Sequence, residues 1–123
     1  MYQPGYYPPP GYYPPPGYQP PGWMYYICMH DAGDFEAVWH LYLMTEILIG
    51  RLKHCYVRLY DKSVSRLHSR IYHYNGQILI DNVSKTNTTV LNGNIITTPT
   101  VLNIGDVIRC GNVSLVVNTI YSY

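Results

Sequence analysis

The sequence predicts an all-β protein, a sandwich of two antiparallel sheets over residues 23–123 behind a Pro/Tyr/Gly-rich tail at 1–22. Three observations predict it. After Trp23 the chain breaks into short runs rich in Ile, Val, Leu, Thr and Tyr, the residues that fit a pleated, half-buried surface. Turn-formers separate these runs at close intervals. No stretch carries a helical period with caps at its ends. Many short strands at close spacing imply an antiparallel sandwich.

The tail, "MYQPGYYPPPGYYPPPGYQPPG", is low in complexity: "GYYPPP" runs twice and decays to "GYQPP". Nine of the ten prolines fall here. Proline cannot donate to a helix or a sheet, and a glycine in every repeat adds backbone freedom, so residues 1–22 are expected to be disordered, solvated polyproline-II-like chain. "PPGY" at Pro9–Tyr12 and again at Pro15–Tyr18 fits the P-P-x-Y pattern taken by WW domains, which dock preformed polyproline helices in aromatic grooves. A proline-recognition domain is therefore one partner for the tail. A plain spacer, or a tyrosine-rich segment for weak self-association, has the same composition. Residues 1–44 contain no Ser or Thr, so phosphorylation there is confined to tyrosine.

The expected strands follow in order: "MYYICM", "FEAVWHLYLM", "EILIG", "RIYHY", "QILID", "TVL", "DVIRC" and "VSLVVNTI". Between them lie "HDAGD", Asn75–Gly76, Asn92–Gly93, "NIGD" and Gly111–Asn112. "HYNGQ" is the strongest hairpin signal, because Asn and Gly both accept positive φ.

Composition excludes several classes of function. No apolar run approaches the roughly 18 residues of a membrane span, and the N-terminus has no basic segment leading into an apolar core as a secretory signal does. Three cysteines, Cys28, Cys55 and Cys110, are odd in number and lack C-x-x-C spacing. That pattern argues for free thiols in a reducing, cytoplasmic setting. Net charge is +1, yet all eight Lys and Arg lie between Arg51 and Arg109, whereas Asp31, Asp34, Glu36 and Glu46 precede them. One end of the fold is thus expected to carry positive potential toward a small acidic partner, unless the charges simply solvate a face. The concentration is too weak for duplex nucleic acid. His30, His40, His54 and His73 stand at no metal-ligand spacing, so no metal is expected.

A sandwich has no built-in active site, so function is sought where loops gather polar groups. Three loops do so: Gly50–Arg51 closing "EILI", "SVSRLHSR" at Ser63–Arg70, and "VSKTNTTVLNG" at Val83–Gly93. Hydroxyls and guanidinium groups together suit an anion, although a solvated turn can look the same.

"IGR", then "VSRLH" with Ser65 fourteen residues beyond Arg51, then "TNTTVLNG" and "LNIGDVIRCG" together resemble a forkhead-associated (FHA) domain. The resemblance covers essentially all of 23–123, with "YYICMHDAGDFEAV" as the first hairpin. No single element is specific; their order and spacing are. The resemblance implies a sandwich of about eleven strands that binds phosphothreonine peptides on loops at one end. It implies that Arg51 pairs with the phosphate, that Ser65 donates its hydroxyl to a phosphate oxygen, and that Arg66 adds a contact beside it. Asn87, with Thr86 next to it, would hydrogen-bond the peptide backbone. Gly50 and His68 would support the site, His68 by holding the loop that presents the serine. Thr88 departs from the family pattern, which has glycine there; a threonine disfavours positive φ and adds bulk.

The chemistry is self-consistent. Phosphothreonine carries about −1.5 to −2 charges and three strong acceptor oxygens, which a planar, permanently charged guanidinium matches with two parallel bonds. Nothing covalent is required, so neither catalysis nor a cofactor is expected. The leading expectation is a small signalling adaptor that reads a Thr-phosphorylated protein in trans, such as a Ser/Thr kinase or its substrate, because the tail has no threonine to offer in cis. The alternative is a phosphate-independent scaffold whose sandwich is structural and whose tail mediates assembly. An enzyme is the weakest reading: Ser65 and His68 are the only Ser–His pair, and no acidic partner is positioned beside them in sequence.

Overall fold

The computed structural model describes residues 24–123; the expectations for the tail at 1–22 lie outside the described residues. Eleven strands follow one another: β1 (Tyr25–Asp31), β2 (Asp34–Leu43), β3 (Glu46–Gly50), β4 (Val57–Arg58), β5 (Ser69–Tyr74), β6 (Gln77–Asn82), β7 (Thr89–Leu91), β8 (Asn94–Ile96), β9 (Thr100–Val101), β10 (Val107–Cys110) and β11 (Val113–Ser122). They form a six-stranded sheet in the order β2-β1-β11-β10-β7-β8 and a five-stranded sheet in the order β4-β3-β5-β6-β9. No helix long and apolar enough to cross a membrane occurs among the described residues.

Strand alternation builds the core. Ile27 and Met29 of β1, Leu41 and Leu43 of β2, and Leu115 and Val117 of β11 point inward from one sheet. Ile47, Ile49, Ile71, Ile78 and Ile80 meet them from the other. Apart from the unbranched Met29, these side chains are β-branched or γ-branched aliphatics, and together they fill the space between two pleated faces about 10 Å apart. Each fully buried Ile or Leu contributes roughly 1.5–3 kcal/mol of transfer free energy.

Two hairpins carry the turn chemistry read from the sequence. Asn75 and Gly76 adopt φ of 50° and 75°, and Asn92 and Gly93 adopt 51° and 83°. Positive φ at both central residues matches the right-handed twist of the flanking strands. The register is tight: Tyr74 pairs with Gln77 across the first turn and Leu91 with Asn94 across the second.

Every eight-run expectation has its strand; β4, β8 and β9 are additional. They are two or three residues long, too short to show a period of two. The sheets are antiparallel apart from β3 and β4, which run parallel with Ile49 opposite Val57 and Gly50 opposite Arg58. A parallel pair ordinarily needs a crossover of a dozen residues. Here six suffice, because only the ends of the two strands overlap. The chain turns at Cys55, whose N–H reaches the Leu52 carbonyl at 3.0 Å, and Leu59 N–H then bonds the Gly50 carbonyl at 2.8 Å. All three cysteines are free thiols, and burial pushes the Cys110 thiol up to about 11.

Candidate functional site

The loops after β3 (Arg51–Tyr56), between β4 and β5 (Leu59–His68), and between β6 and β7 (Val83–Thr88) gather at one end of the sandwich. Backbone bonds join the first two. Arg51 N–H is shared between the carbonyls of Ser65 and Arg66 at 3.2 and 3.0 Å, and Leu52 N–H adds a bond to Arg66 at 3.3 Å. Residues fourteen apart in the chain are therefore fixed side by side.

Gly50 is required at this crossing by space alone. A Cβ there would collide with the carbonyl group of Arg66 and press on the Cys55 sulfur. Backbone atoms cannot step aside as a flexible side-chain end can. Gly50→Ala is expected to cost about 1–3 kcal/mol and to pull the first two loops apart; thermal denaturation of the variant beside the parent chain measures it.

Arg51 is half-buried. Its Nε–H donates to the Val64 carbonyl at 2.5 Å, which holds the guanidinium plane against the β4–β5 loop. No bond within the described residues occupies its Nη nitrogens. Beneath it, Arg58 Nε–H donates to the Arg51 carbonyl at 2.9 Å, and the Arg58 guanidinium lies 4.7 Å from the Tyr60 ring centre. Two cations are thus anchored through one edge each.

Ser65 is also half-buried, and its hydroxyl is the centre of a polar network. Asn87 Nδ2 donates to Ser65 Oγ at 2.7 Å, and Ser65 Oγ shares a proton with Ser84 Oγ at 2.7 Å. Ser84 Oγ in turn accepts the backbone N–H groups of Thr86 at 3.2 Å and Asn87 at 3.0 Å. Thr86 Oγ1 stands 3.4 Å from the same oxygen. Asn87, Thr86 and the side chain of Arg66 are exposed.

His68 ties the loops together from below. It is fully buried. Its Nδ1 accepts the Ser65 N–H at 3.0 Å, and its Nε2 donates to the Thr88 carbonyl at 2.7 Å, which assigns the Nε2–H tautomer. Its own N–H reaches the Ile49 carbonyl at 2.9 Å, and its carbonyl receives the N–H groups of Val83 and Ser84 at 2.9 and 3.1 Å. One residue therefore touches all three loops or the strands feeding them. The imidazole takes the backbone N–H of Ser65 and not its hydroxyl, so the pair is no nucleophile–base couple.

The family model described as "FHA domain" matches residues 47–111, more than half of the chain, from the second residue of β3 to just past the end of β10. The chain belongs to the FHA domain family. Solved structures agree. An FHA domain from an analysis of phosphothreonine-dependent FHA domain interactions is 26% identical, with a TM-score of 0.69 over 76% of this chain and 96% of that one. The FhaA FHA domain, solved in complex with the intracellular domain of Rv3910, is 28% identical, with a TM-score of 0.66 over 75% of this chain and 99% of that one. An FHA domain of an Arabidopsis thaliana hypothetical protein shares the fold at 23% identity, with a TM-score of 0.71 over 87% of this chain and 98% of that one. No curated protein matches the sequence.

Within this FHA domain, the site residues read from the sequence, Gly50, Arg51, Ser65, Arg66, His68, Thr86 and Asn87, all lie at one loop cluster. Ser63 and Ser69 face elsewhere. Ser63 Oγ donates to Asp61 at 2.6 Å and accepts Asn112 N–H at 2.8 Å. The Ser63 hydroxyl and then its N–H hold the Asp61 carboxyl below the usual range. Ser69 is buried against Thr89.

The strain expected of Thr88 is not found. Asn75 and Asn92 are the positive-φ residues other than glycine among those described, so Thr88 keeps ordinary backbone geometry while its carbonyl serves His68. Sequence reasoning missed Ser84. The available signal was local: a serine followed two and three residues on by Thr86 and Asn87 forms a hydroxyl-capped turn.

Proposed function

We propose that this FHA domain is a phosphothreonine-peptide-binding module and that the chain acts as a small signalling adaptor, reading a Thr-phosphorylated partner in trans. One observation carries the reading: Arg51 and Ser65 lie side by side and half-buried, on loops locked by the Arg51–Ser65 and Arg51–Arg66 backbone bonds, and the Arg51 side chain bonds the Val64 carbonyl, next to Ser65. The FHA domains named above, one analysed for phosphothreonine-dependent interactions and one bound to a protein domain, support it.

In this reading the Nη nitrogens of Arg51 donate to the phosphate as a fork, and Ser65 turns its proton from Ser84 to a phosphate oxygen. Arg66 reaches the phosphate from the rim. Asn87 exchanges its bond with Ser65 for one to the peptide backbone, and Thr86 borders it. Gly50 and His68 hold the frame. Each bond to a charged oxygen is worth roughly 1.5–3 kcal/mol net. Three of them sum to roughly 4.5–9 kcal/mol before the ordering cost, so a micromolar complex, about 8 kcal/mol, also needs contacts from the rest of the peptide. Every step is association, so the reading involves no turnover.

The test is a phosphothreonine peptide pool passed over the full chain, with a phosphatase-treated pool beside it. Retention confined to the phosphorylated pool is expected; equal retention of both would sink the reading. Affinity for a selected peptide should also fall as pH drops through the second phosphate pKa near 6, because the monoanion offers Arg51 less charge. Titration calorimetry across that range checks the sign.

A further inference from the structure

We propose that Thr98, once phosphorylated, is read by the Arg51–Ser65 site of a second copy of this chain, and that two copies pair reciprocally, end to end. The proposal rests on the phosphothreonine reading of that site and names a partner for it.

Thr98–Pro99 is the one Ser/Thr–Pro step in the sequence, and Pro99 is the one proline outside the tail. The step lies in the short turn between β8 and β9, where Thr97, Thr98 and Pro99 are all exposed. The Thr98 hydroxyl has no hydrogen-bond partner among the described residues, while its carbonyl accepts from Thr100 Oγ1 at 2.9 Å. A proline biases the residue before it toward extended backbone. Thr98 is thereby held in the form in which a peptide offers its backbone to a loop, which lowers the ordering cost of binding. A Ser/Thr kinase that requires proline after its acceptor finds this site alone. The γ-phosphoryl group of ATP forms a bond to Thr98 Oγ1, the β–γ anhydride breaks, and ADP and the hydroxyl proton leave.

Strand register places the turn. Thr89, which opens β7 directly after the Val83–Thr88 loop, pairs with Ile96, so the chain beyond Ile96 runs on toward the phosphate loops. Ile80 pairs with Thr100, and β6 leads from Ile80 into the same loop. The turn thus stands at the reading end of the sandwich. Its own site is out of reach. β5 and β6 separate β9 from β3, whose end carries Arg51, roughly 14 Å at strand spacings of about 4.8 Å. A threonyl phosphate extends only a few bonds of about 1.5 Å each. A second copy therefore supplies the reader. With acceptor and reader at one end of each molecule, a two-fold axis lets both copies give and receive, and the pair closes without a free site from which to grow.

The chemistry of that end fits. Arg66 and Lys85 are exposed there, beside the half-buried Arg51 and Arg58, so two unmodified ends repel. A phosphate of about −1.5 to −2 charges on each reverses the sign. Proline lacks an N–H but keeps its carbonyl, and a carbonyl is what the Asn87 Nδ2 donor needs once it leaves Ser65. Ile95, on the edge strand β8 and three residues before Thr98, is 60% exposed. It offers an apolar contact in addition to the phosphate bonds.

The test is the solution mass, by sedimentation velocity, of the full chain made with phosphothreonine at position 98 by codon suppression. A two-copy species is expected, with the unmodified chain remaining single. Arg51→Ala in the phosphorylated chain should restore the single-copy mass. That phosphorylated variant mixed with the unmodified chain can pair one way only, and should associate at least about tenfold more weakly than the reciprocal pair. A phosphorylated chain that stays single, a dimer that survives Arg51→Ala, or a mass that climbs past two copies overturns the proposal. The phosphothreonine peptide pool separates the two failures. If the pool is retained and the phosphorylated chain stays single, this proposal alone falls; if the pool is not retained, the reading of the site falls and takes the proposal with it. Should the modified chain fail to fold, a peptide of residues 94–101 phosphorylated on Thr98 decides the matter against the unmodified chain: binding abolished by Arg51→Ala is expected, and no binding refutes the proposal.

Discussion

Arg51→Ala is expected to weaken phosphothreonine-peptide binding at least about 100-fold while leaving the fold in place. Removing one member of a hydrogen-bonded charge pair costs about 2–5 kcal/mol, and 2.7 kcal/mol is already two decades in affinity. The fold should survive because the parts of Arg51 that build the loops are backbone: its N–H bonds Ser65 and Arg66, and its carbonyl receives Arg58 Nε. Alanine keeps all three. What it loses inside the domain is one bond from Nε to the Val64 carbonyl, worth about 0.5–1.5 kcal/mol net. Arg51→Lys sharpens the test. It keeps the charge and removes the fork, so affinity should recover only in part if parallel bonds matter. Calorimetric titration of the three proteins with one peptide, and melting curves of each, separate binding from stability.

His68→Ala should have the opposite balance, a large loss of stability with binding lost as a consequence. The imidazole is wholly buried and satisfies the Ser65 N–H and the Thr88 carbonyl on two different loops. Each polar group left without a partner costs about 1–3 kcal/mol, and the emptied space adds to it. A total near 3 kcal/mol is a large share of a small domain's stability of about 5–15 kcal/mol. It would lower Tm by roughly 15 °C. His68→Gln is the informative companion. An amide can accept from Ser65 and donate toward Thr88, so it should restore part of the stability, and phosphopeptide binding should return with it. Recovery of stability without binding would mean that the imidazole does more than position Ser65.

The two variants divide the site into a part that touches the ligand and a part that holds it, and the sequence made the first easier to see than the second. Arg51 and Ser65 stood out because guanidinium and hydroxyl groups are conspicuous in a chain with 12% charged residues, and because their order and spacing resembled a family. The longer strands were equally legible: "QILID" and "RIYHY" alternate, and an Asn-Gly turn between them leaves one way to pair. The strand pair β3–β4 was hidden because its register rests on bonds between Gly50, Leu52, Cys55 and Leu59, which no periodicity records. Ser84 was hidden for a related reason. Its role comes from receiving two backbone N–H groups of its own turn while meeting Ser65 from another loop, and only the fold brings those together. Thr88 misled because a family preference for glycine was read as a demand for positive φ, whereas here the carbonyl of that residue, not its torsion, is what the site uses.

The central claim is that the Arg51 guanidinium and the Ser65 hydroxyl together hold a phosphate dianion at the open end of the sandwich. A structure of the full chain bound to a peptide selected from the phosphothreonine pool tests it most directly. The account predicts phosphate oxygens at about 2.7–3.0 Å from an Arg51 Nη nitrogen and from Ser65 Oγ, with Asn87 turned to the peptide backbone. A phosphate seated elsewhere on the domain, with Arg51 and Ser65 still in their unliganded network, would contradict it.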